Sequence, residues 1–135
     1  SNNELSVADA EGLVKALLAN RIDENVELVQ AFTRMYNLVK DVTYSGVDES
    51  LLKEDAERAL YEMATKASEA SIDAWDKNDY DAVVAVPATL VPAINTFFED
   101  VMVMDKDEAI KANRLQLVRL AYSVMAIIGD ISALK

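Results

Sequence analysis

Residues 97–118, FFEDVMVMDKDEAIKANRLQLV, carry the clearest information about the fold. Two adjacent aromatic residues precede an apolar run, a charged turn follows at 105–108, and apolar residues at helical spacing resume from Asn113. Phe97 and Phe98 would point about 100° apart on a helix, and phenylalanine is usually buried. We therefore expect core packing at this helix end, rather than two rings stacked on a ligand, followed by a crossover and a long final helix.

The charged turn itself predicts the start of that final helix. Asp105 and Glu108 have the spacing of a capping box, with Asp in the Ser/Thr role, and acidic residues favour a first turn. Binding of Mg²⁺ by these carboxylates is the alternative, but helix capping explains the pattern without a metal. The helix is predicted to run to Ile128, with Gly129 as the residue that ends it.

The remaining segments also show helical periodicity. We predict helices over 6–20, 24–42 and about 49–76, the last with Asp48 as its N-cap. A break is expected near Pro87, and a further helix from Pro92 to about Val101. The apolar side of the second helix would consist of Val26, Val29, Phe32, Met35, Tyr36 and Val39.

These segments predict an all-α protein, an antiparallel helical bundle of about five or six helices. Its 135 residues fit one domain, residues 1–135, and 52% of them are hydrophobic, enough for a core. Residues 1–3 are set aside as a cloning remnant. The longest apolar runs are expected to be too short, and too interrupted by proline, to span a membrane.

Composition excludes several classes of function. The chain has no Cys and no His, which removes the usual zinc sites, Glu-x-x-His di-iron sites and Ser-His-Asp or Cys-His catalysis. A calcium loop starting at Asp76 fails because Tyr80, Asp81 and Pro87 occupy its fifth, sixth and twelfth positions. The net charge of -11 opposes nonspecific binding to DNA or to anionic membranes, so neither is an expected partner.

Several motifs together indicate a family. Phe97-Phe98-Glu99-Asp100, the run VMVM, the acidic turn, Asn113-Arg114-Leu115 and the late GDIS resemble, in order and spacing over residues 80–134, the C-terminal end of bacterial glycyl-tRNA synthetase beta subunits. Residues 31–40, AFTRMYNLVK, resemble the helix with an Arg-x-x-Asn pattern that opens this type of domain.

The resemblance implies a helical, DALR-like anticodon-binding domain that is a C-terminal fragment of a much longer, cytoplasmic subunit. The full enzyme would combine this beta subunit with an alpha subunit and use ATP and Mg²⁺ to join glycine to its tRNA. This fragment would hold no cofactor and carry no catalytic residue. Its expected partners are glycine-accepting tRNA, the rest of the beta subunit and the alpha subunit.

Contact with RNA then needs a local exception to the acidic surface. One resolution is a cationic strip facing the anticodon loop, and the other is phosphate binding by other parts of the full enzyme. Hydrogen bonds to bases would come from the amides of Gln30 and Asn37. An acidic helical bundle that docks on another subunit or domain is the alternative, and an independent enzyme using carboxylates alone is a third. The cationic strip would comprise Arg34, Lys40, Lys111, Arg114 and Arg119.

Overall fold

A computed structural model describes residues 6–133, which form six α-helices and no strand. The prediction of an all-α bundle is therefore confirmed. Short 3-10 turns cover Ile22–Glu24, Glu49–Leu51 and Val86–Leu90. The helices are α1 Val7–Ala19, α2 Val26–Val39, α3 Asp55–Asp76, α4 Tyr80–Ala85, α5 Val91–Asp100 and α6 Glu108–Ser132.

Helix α6 lies at the centre of the bundle. It packs against α1, α2 and α3, while α3 also contacts α4 and α5, α1 contacts α4, and α2 contacts α5. Because several helices surround α6, buried residues occur along its whole length, from Asn113 to Ile131. The largest fully buried side chains include Leu13, Leu28, Met35, Leu60, Phe97, Leu117 and Met125.

Helix α3 begins later than predicted. Asp48 is an N-cap, as expected, but it caps the 3-10 turn Glu49–Leu51, where its carboxylate accepts from the Ser50 N–H at 3.0 Å. The backbone then extends, which brings Leu52 into the core at 7% exposure. A capping box formed by Glu54 and Glu57 starts α3 at Asp55.

The N-cap of α6 is Asp107 and not Asp105, so the predicted capping box is wrong by two residues. The Asp107 carboxylate accepts from the N–H groups of Ala109 and Ile110 at 2.9 and 3.2 Å. Asp105 instead accepts from the Asp107 N–H at 2.8 Å and receives a second bond from Arg114. The turn thus has two acidic caps in series.

Helix α6 also continues past Gly129 to Ser132. A Cβ atom at Gly129 would lie 3.0 Å from Cζ of Phe32, so this glycine permits close approach between α6 and α2. Its role is packing rather than helix termination, and the predicted helix end was wrong.

The buried side of α2 is rotated relative to the prediction. Met35 and Val39 are buried as expected, but Val26 and Val29 are 65% and 47% exposed. Leu28 and Ala31 take their places in the core, because α2 must contact both α5 and α6. Contact with two helices therefore determines which residues of α2 are buried, and the spacing of the valines alone does not show this.

The two prolines act as expected. Pro87 is buried within the 3-10 turn Val86–Leu90 that follows α4, and Pro92 lies in the first turn of α5. The predicted break and restart are therefore confirmed, with the restart at Val91.

Two segments, Tyr80–Asp100 and Glu108–Ser132, are long and apolar enough to cross a membrane by length and composition alone. The expectation that the apolar runs are too short was wrong on that criterion. In the bundle, the first segment is interrupted by the 3-10 turn, and both supply fully buried core residues such as Ile94, Phe97 and Leu117.

Candidate nucleic-acid interface

The exposed side of α2 carries the polar residues predicted to meet RNA. Gln30, Arg34 and Asn37 are all exposed, and their spacing of four and three residues places them on one side of the helix. Lys40, also exposed, is the C-cap residue of α2. The structure therefore groups four of the predicted residues on one short helix.

A groove lies between α2 and the connection that follows α5. We call it the α2 groove; its volume is about 460 Å³. The guanidinium carbon of Arg34 is 4.1 Å from the ring centroid of Phe98, which is a cation–π contact between the two sides. The lining residues are Arg34, Asn37, Leu38, Phe98, Val101, Met102, Val103 and Met104.

The connection 101–104 alternates between core and surface. Val101 and Val103 are buried at 6% and 8% exposure, while Met102 and Met104 are 72% and 58% exposed. Val101 has extended backbone angles, and alternation of sides is the property of an extended chain. The fold thus places two large apolar side chains at the edge of the α2 groove.

Arg114 lies inside the protein and not in a surface strip. It is 5% exposed, and its Nε and Nη2 atoms donate to the two carboxylate oxygens of Glu57, each at 3.1 Å. Its Nη1 atom donates to the carbonyl of Met102 at 2.8 Å and to Asp105 at 3.3 Å. Burial makes this guanidinium unavailable to RNA, which corrects the predicted cationic strip at this residue.

The charge state of the Glu57–Arg114 pair follows from its contacts. Burial alone raises the pKa of Glu57, but hydrogen bonds from Arg114 and from the N–H groups of Glu54 and Lys53 outweigh it and leave that pKa below its ordinary value. The hydrogen bond to Glu57 likewise raises the pKa of Arg114. Both groups are therefore charged at neutral pH and form a buried ion pair.

Arg119 makes contacts that stabilise the fold. Its Nε atom donates to the carbonyl of Val42 at 3.0 Å, and its guanidinium carbon lies 5.5 Å from the Tyr122 ring centroid. That ring packs at 5.3 Å from Phe32 and 6.0 Å from Tyr36. Arg119 is half-buried at the side of α2 that faces α6, whereas Arg34 contacts Phe98 of α5.

Two amides on α6 were missed as structural residues. Asn113 donates to the carbonyl of Asp48 at 3.0 Å and accepts from its N–H at 2.7 Å. Gln116 donates to the Thr43 carbonyl at 3.0 Å and accepts from the Ser45 N–H at 2.7 Å. With Arg119 they recur every third residue and hold segment 42–48 against α6. That spacing was the available signal, since an amide side chain can satisfy a backbone donor and acceptor together.

Lys111 has a carboxylate partner on its own helix. Its Nζ atom lies 3.3 Å from the carboxylate of Glu108, and its side chain is 29% exposed. Lys111 is not among the residues that line the α2 groove. Whether it touches RNA stays a prediction, as it does for Gln30, Arg34, Asn37, Lys40 and Arg119.

Ion pairs with carboxylates occupy half of the Lys and Arg residues that the structure describes, six of twelve. Within residues 6–133, carboxylate partners occur for Arg21, Arg58, Lys66, Lys77, Lys111 and Arg114. The other six described cations have no carboxylate oxygen within 4.0 Å, and three of them, Arg34, Lys40 and Lys106, lie on α2 or just beyond Met104. The remaining three are Lys15, Lys53 and Arg119. The part of the chain that the structure describes contains no group of three or more acidic side chains placed to hold a metal ion.

Comparison with known protein families identifies the domain to which these helices belong. The profile of the DALR anticodon binding domain matches residues 28–131, which include most of α2 and α6 and every residue that lines the groove. The chain belongs to this family. The DALR assignment confirms the predicted domain type, and the match begins within α2, the helix predicted to open the domain.

Curated relatives of this DALR domain share one name, glycine–tRNA ligase beta subunit. The chain is 40% identical over 110 residues to that of Clostridioides difficile strain 630, with 82% of this chain and 16% of the relative covered. It is 37% identical over 130 residues to that of Geobacter sp. strain M21, with 96% and 19% covered. It is 40% identical over 119 residues to that of Alteromonas mediterranea, with 84% and 17% covered. The chain thus spans less than a fifth of these relatives' length.

Proposed function

We propose that this DALR domain binds the anticodon loop of a glycine-accepting tRNA as part of a glycine–tRNA ligase beta subunit. The observation that carries the proposal is the family match over residues 28–131, which encloses the exposed polar side of α2 and its groove. The similarity to glycine–tRNA ligase beta subunits over most of the chain supports the choice of tRNA.

The geometry suits an unpaired loop better than a duplex. Unpaired bases are recognised by stacking and by hydrogen bonds to their edges, which require fewer cations than phosphate binding does. The α2 surface offers the amide of Asn37, the guanidinium of Arg34 and the ring of Phe98 in one groove. A net charge of -11 is compatible with recognition of that kind.

The chemistry of the ligase would lie elsewhere in the enzyme. We place glycine activation, with its ATP and Mg²⁺, outside these residues, and we place the assembled alpha and beta subunits in the cytoplasm. The domain would contribute tRNA recognition without a catalytic step. Its remaining partners would be the rest of the beta subunit and the alpha subunit.

The test measures tRNA binding and glycine activation separately in the assembled enzyme. Arg34→Gln removes an exposed charge and should raise the half-saturating tRNA concentration about tenfold, the scale of one good base or phosphate contact, while glycine activation stays unchanged. Lys66→Gln is the control, because Lys66 is exposed but lies 3.6 Å from Glu62 on α3. The proposal fails if anticodon substitutions in the tRNA leave binding by the unaltered enzyme the same.

A further inference from the structure

We propose that Phe98, Met102 and Met104 form a cleft for one unstacked nucleobase, here called the base cleft. This inference rests on the proposed function and deepens it, because it assigns the apolar part of the RNA site. From the sequence, core packing was expected for Phe98 rather than stacking on a base, and the two methionines were given no role in RNA contact.

The first step concerns exposed methionine. Met102 and Met104 are the outward residues of an extended connection whose inward residues, Val101 and Val103, complete the core. With 72% and 58% of their surface exposed, the two methionines contribute little to the packing of the bundle. Methionine is flexible and polarisable and packs well on aromatic rings, which suits it to contact with a planar base.

The second step concerns the aromatic ring that lines the same groove as these methionines. The ring of Phe98 is half-buried, packs at 5.4 Å on Phe97, and carries the Arg34 guanidinium at 4.1 Å. Phe97 on one side and the Arg34 guanidinium on another therefore contact the ring. An aromatic ring and an arginine plane are the two side-chain surfaces on which unpaired bases stack in RNA-binding proteins.

The third step concerns size and hydrogen bonding. The α2 groove is open to solvent, and its volume of about 460 Å³ falls within the range of small-molecule sites, roughly 300–1,000 Å³. Asn37 lines the same groove and supplies an amide with two donors and an acceptor. A base stacked in the cleft would thus find a group able to pair with its edge.

The last step concerns charge, which selects the base over the phosphate. Six of the eight residues that line the α2 groove are apolar, and placing a charged phosphate against them costs more than placing a neutral base there. The base cleft would therefore hold the base, and Arg34, Lys40 and Lys106 would meet the flanking backbone.

Methionine methyl spectra of the whole chain can test this directly. The five methionines include Met35 and Met125, which are fully buried and serve as internal references. Addition of a glycine tRNA anticodon stem-loop should move the methyl signals of Met102 and Met104 upfield, because a stacked base shields them. Met102→Leu and Met104→Leu assign the two signals.

Affinity measurements with the same stem-loop complete the test. Phe98→Leu retains apolar volume but removes the ring, and should weaken binding about tenfold, as should the pair Met102→Gln and Met104→Gln. Ile72→Gln, at a position 63% exposed on α3, is the matched control and should change nothing. Removal of one anticodon base, with its sugar and phosphate kept, should abolish the methyl shifts.

The outcomes separate the two proposals. Anticodon-dependent binding with unmoved methyl signals and unaffected Phe98→Leu would overturn the base cleft and leave the proposed function standing. No binding to the stem-loop, either alone or within the assembled enzyme, would overturn both. Protection of Met102 and Met104 by another part of the ligase in the absence of tRNA would assign the cleft to protein docking and also overturn it.

Discussion

Arg114 connects three parts of the chain through one guanidinium. It binds Glu57 in the first turn of α3, the Met102 carbonyl in the connection beside the α2 groove, and Asp105 before α6. From sequence it looked like a surface cation, because Lys111 and Arg114 share a face of the helix. Sequence spacing identifies the face but not what covers it, so a buried arginine and a phosphate-binding arginine look alike.

Arg114→Met should destabilise the fold strongly. The substitution retains much of the side-chain volume but leaves the Glu57 carboxylate buried without its cation, which costs about 3 kcal/mol or more in comparable pairs. Urea unfolding of the whole chain measures the loss. Lys66→Met, which breaks an exposed pair with Glu62, should cost under about 0.5 kcal/mol. Equal effects of the two substitutions would show that the Glu57–Arg114 pair is not buried as described.

Glu57 should also make stability depend on pH. Its folded pKa lies below the ordinary value of 4.5, so its contribution is fully present above that pH and is lost as pH falls through the folded pKa. The difference in unfolding free energy between the native chain and Glu57→Gln should therefore be largest above pH 4.5 and shrink below it. A difference that stays constant between neutral and strongly acidic pH would contradict this.

At the level of elements, the sequence predicts which helices exist better than where they begin. All the long helices were expected, because their apolar periodicity extends over several turns. The start of α3 was missed because Asp48 and Glu54 are both followed by acidic first turns, and only the burial of Leu52 decides between them. Two local capping patterns could each have started α3, and tertiary packing determines that the helix begins after Glu54.

The same distinction applies to the candidate site. Gln30, Arg34 and Asn37 could be placed on one face of α2 from their spacing alone. The partner of that face could not, since it comes from residues about sixty positions later and depends on how α5 packs against α2. Phe98 and the two methionines were therefore interpreted as a helix end and a crossover, with no sign that they border a groove.

Gly12 offers a test of helix packing against helix propensity. A Cβ atom there would lie 2.5 Å from Cδ2 of Tyr80, whose hydroxyl donates to Asp9 and fixes the ring against α1. Gly12→Ala should therefore destabilise the chain by about 1–3 kcal/mol in urea unfolding, although alanine favours the helix by about 1 kcal/mol. In a Tyr80→Ala background the same change should become neutral or stabilising. Stabilisation in the native background would show that α1 and α4 are not so closely packed.

At the scale of the whole molecule, some cations form ion pairs that belong to the fold, and others are exposed on the surface without a carboxylate partner. Six of the twelve Lys and Arg residues at positions 6–133 are paired with nearby carboxylates. Among the exposed cations without such a partner, Lys15 and Lys53 lie elsewhere, whereas Arg34, Lys40 and Lys106 lie on α2 or next to its facing connection. The net charge of -11 then repels nucleic acid in most orientations. An approach through the α2 groove would bring the loop to Arg34, Lys40 and Lys106, three exposed cations without a carboxylate partner.

This distribution predicts a shallow salt dependence of tRNA binding by the domain. If Arg34, Lys40 and Lys106 contact phosphates of a single-stranded loop, the slope of log affinity against log salt should be about -2, from roughly 0.7 per phosphate. Arg34→Gln should reduce that slope by about 0.7, while Lys77→Gln, at 3.0 Å from Asp73, should leave it unchanged. The same salt should raise the free energy of unfolding, because it screens repulsion among the excess carboxylates. If the slope is near -5 and Arg34→Gln leaves it unchanged, the phosphate contacts lie on another surface and the α2 groove has no role in binding phosphate.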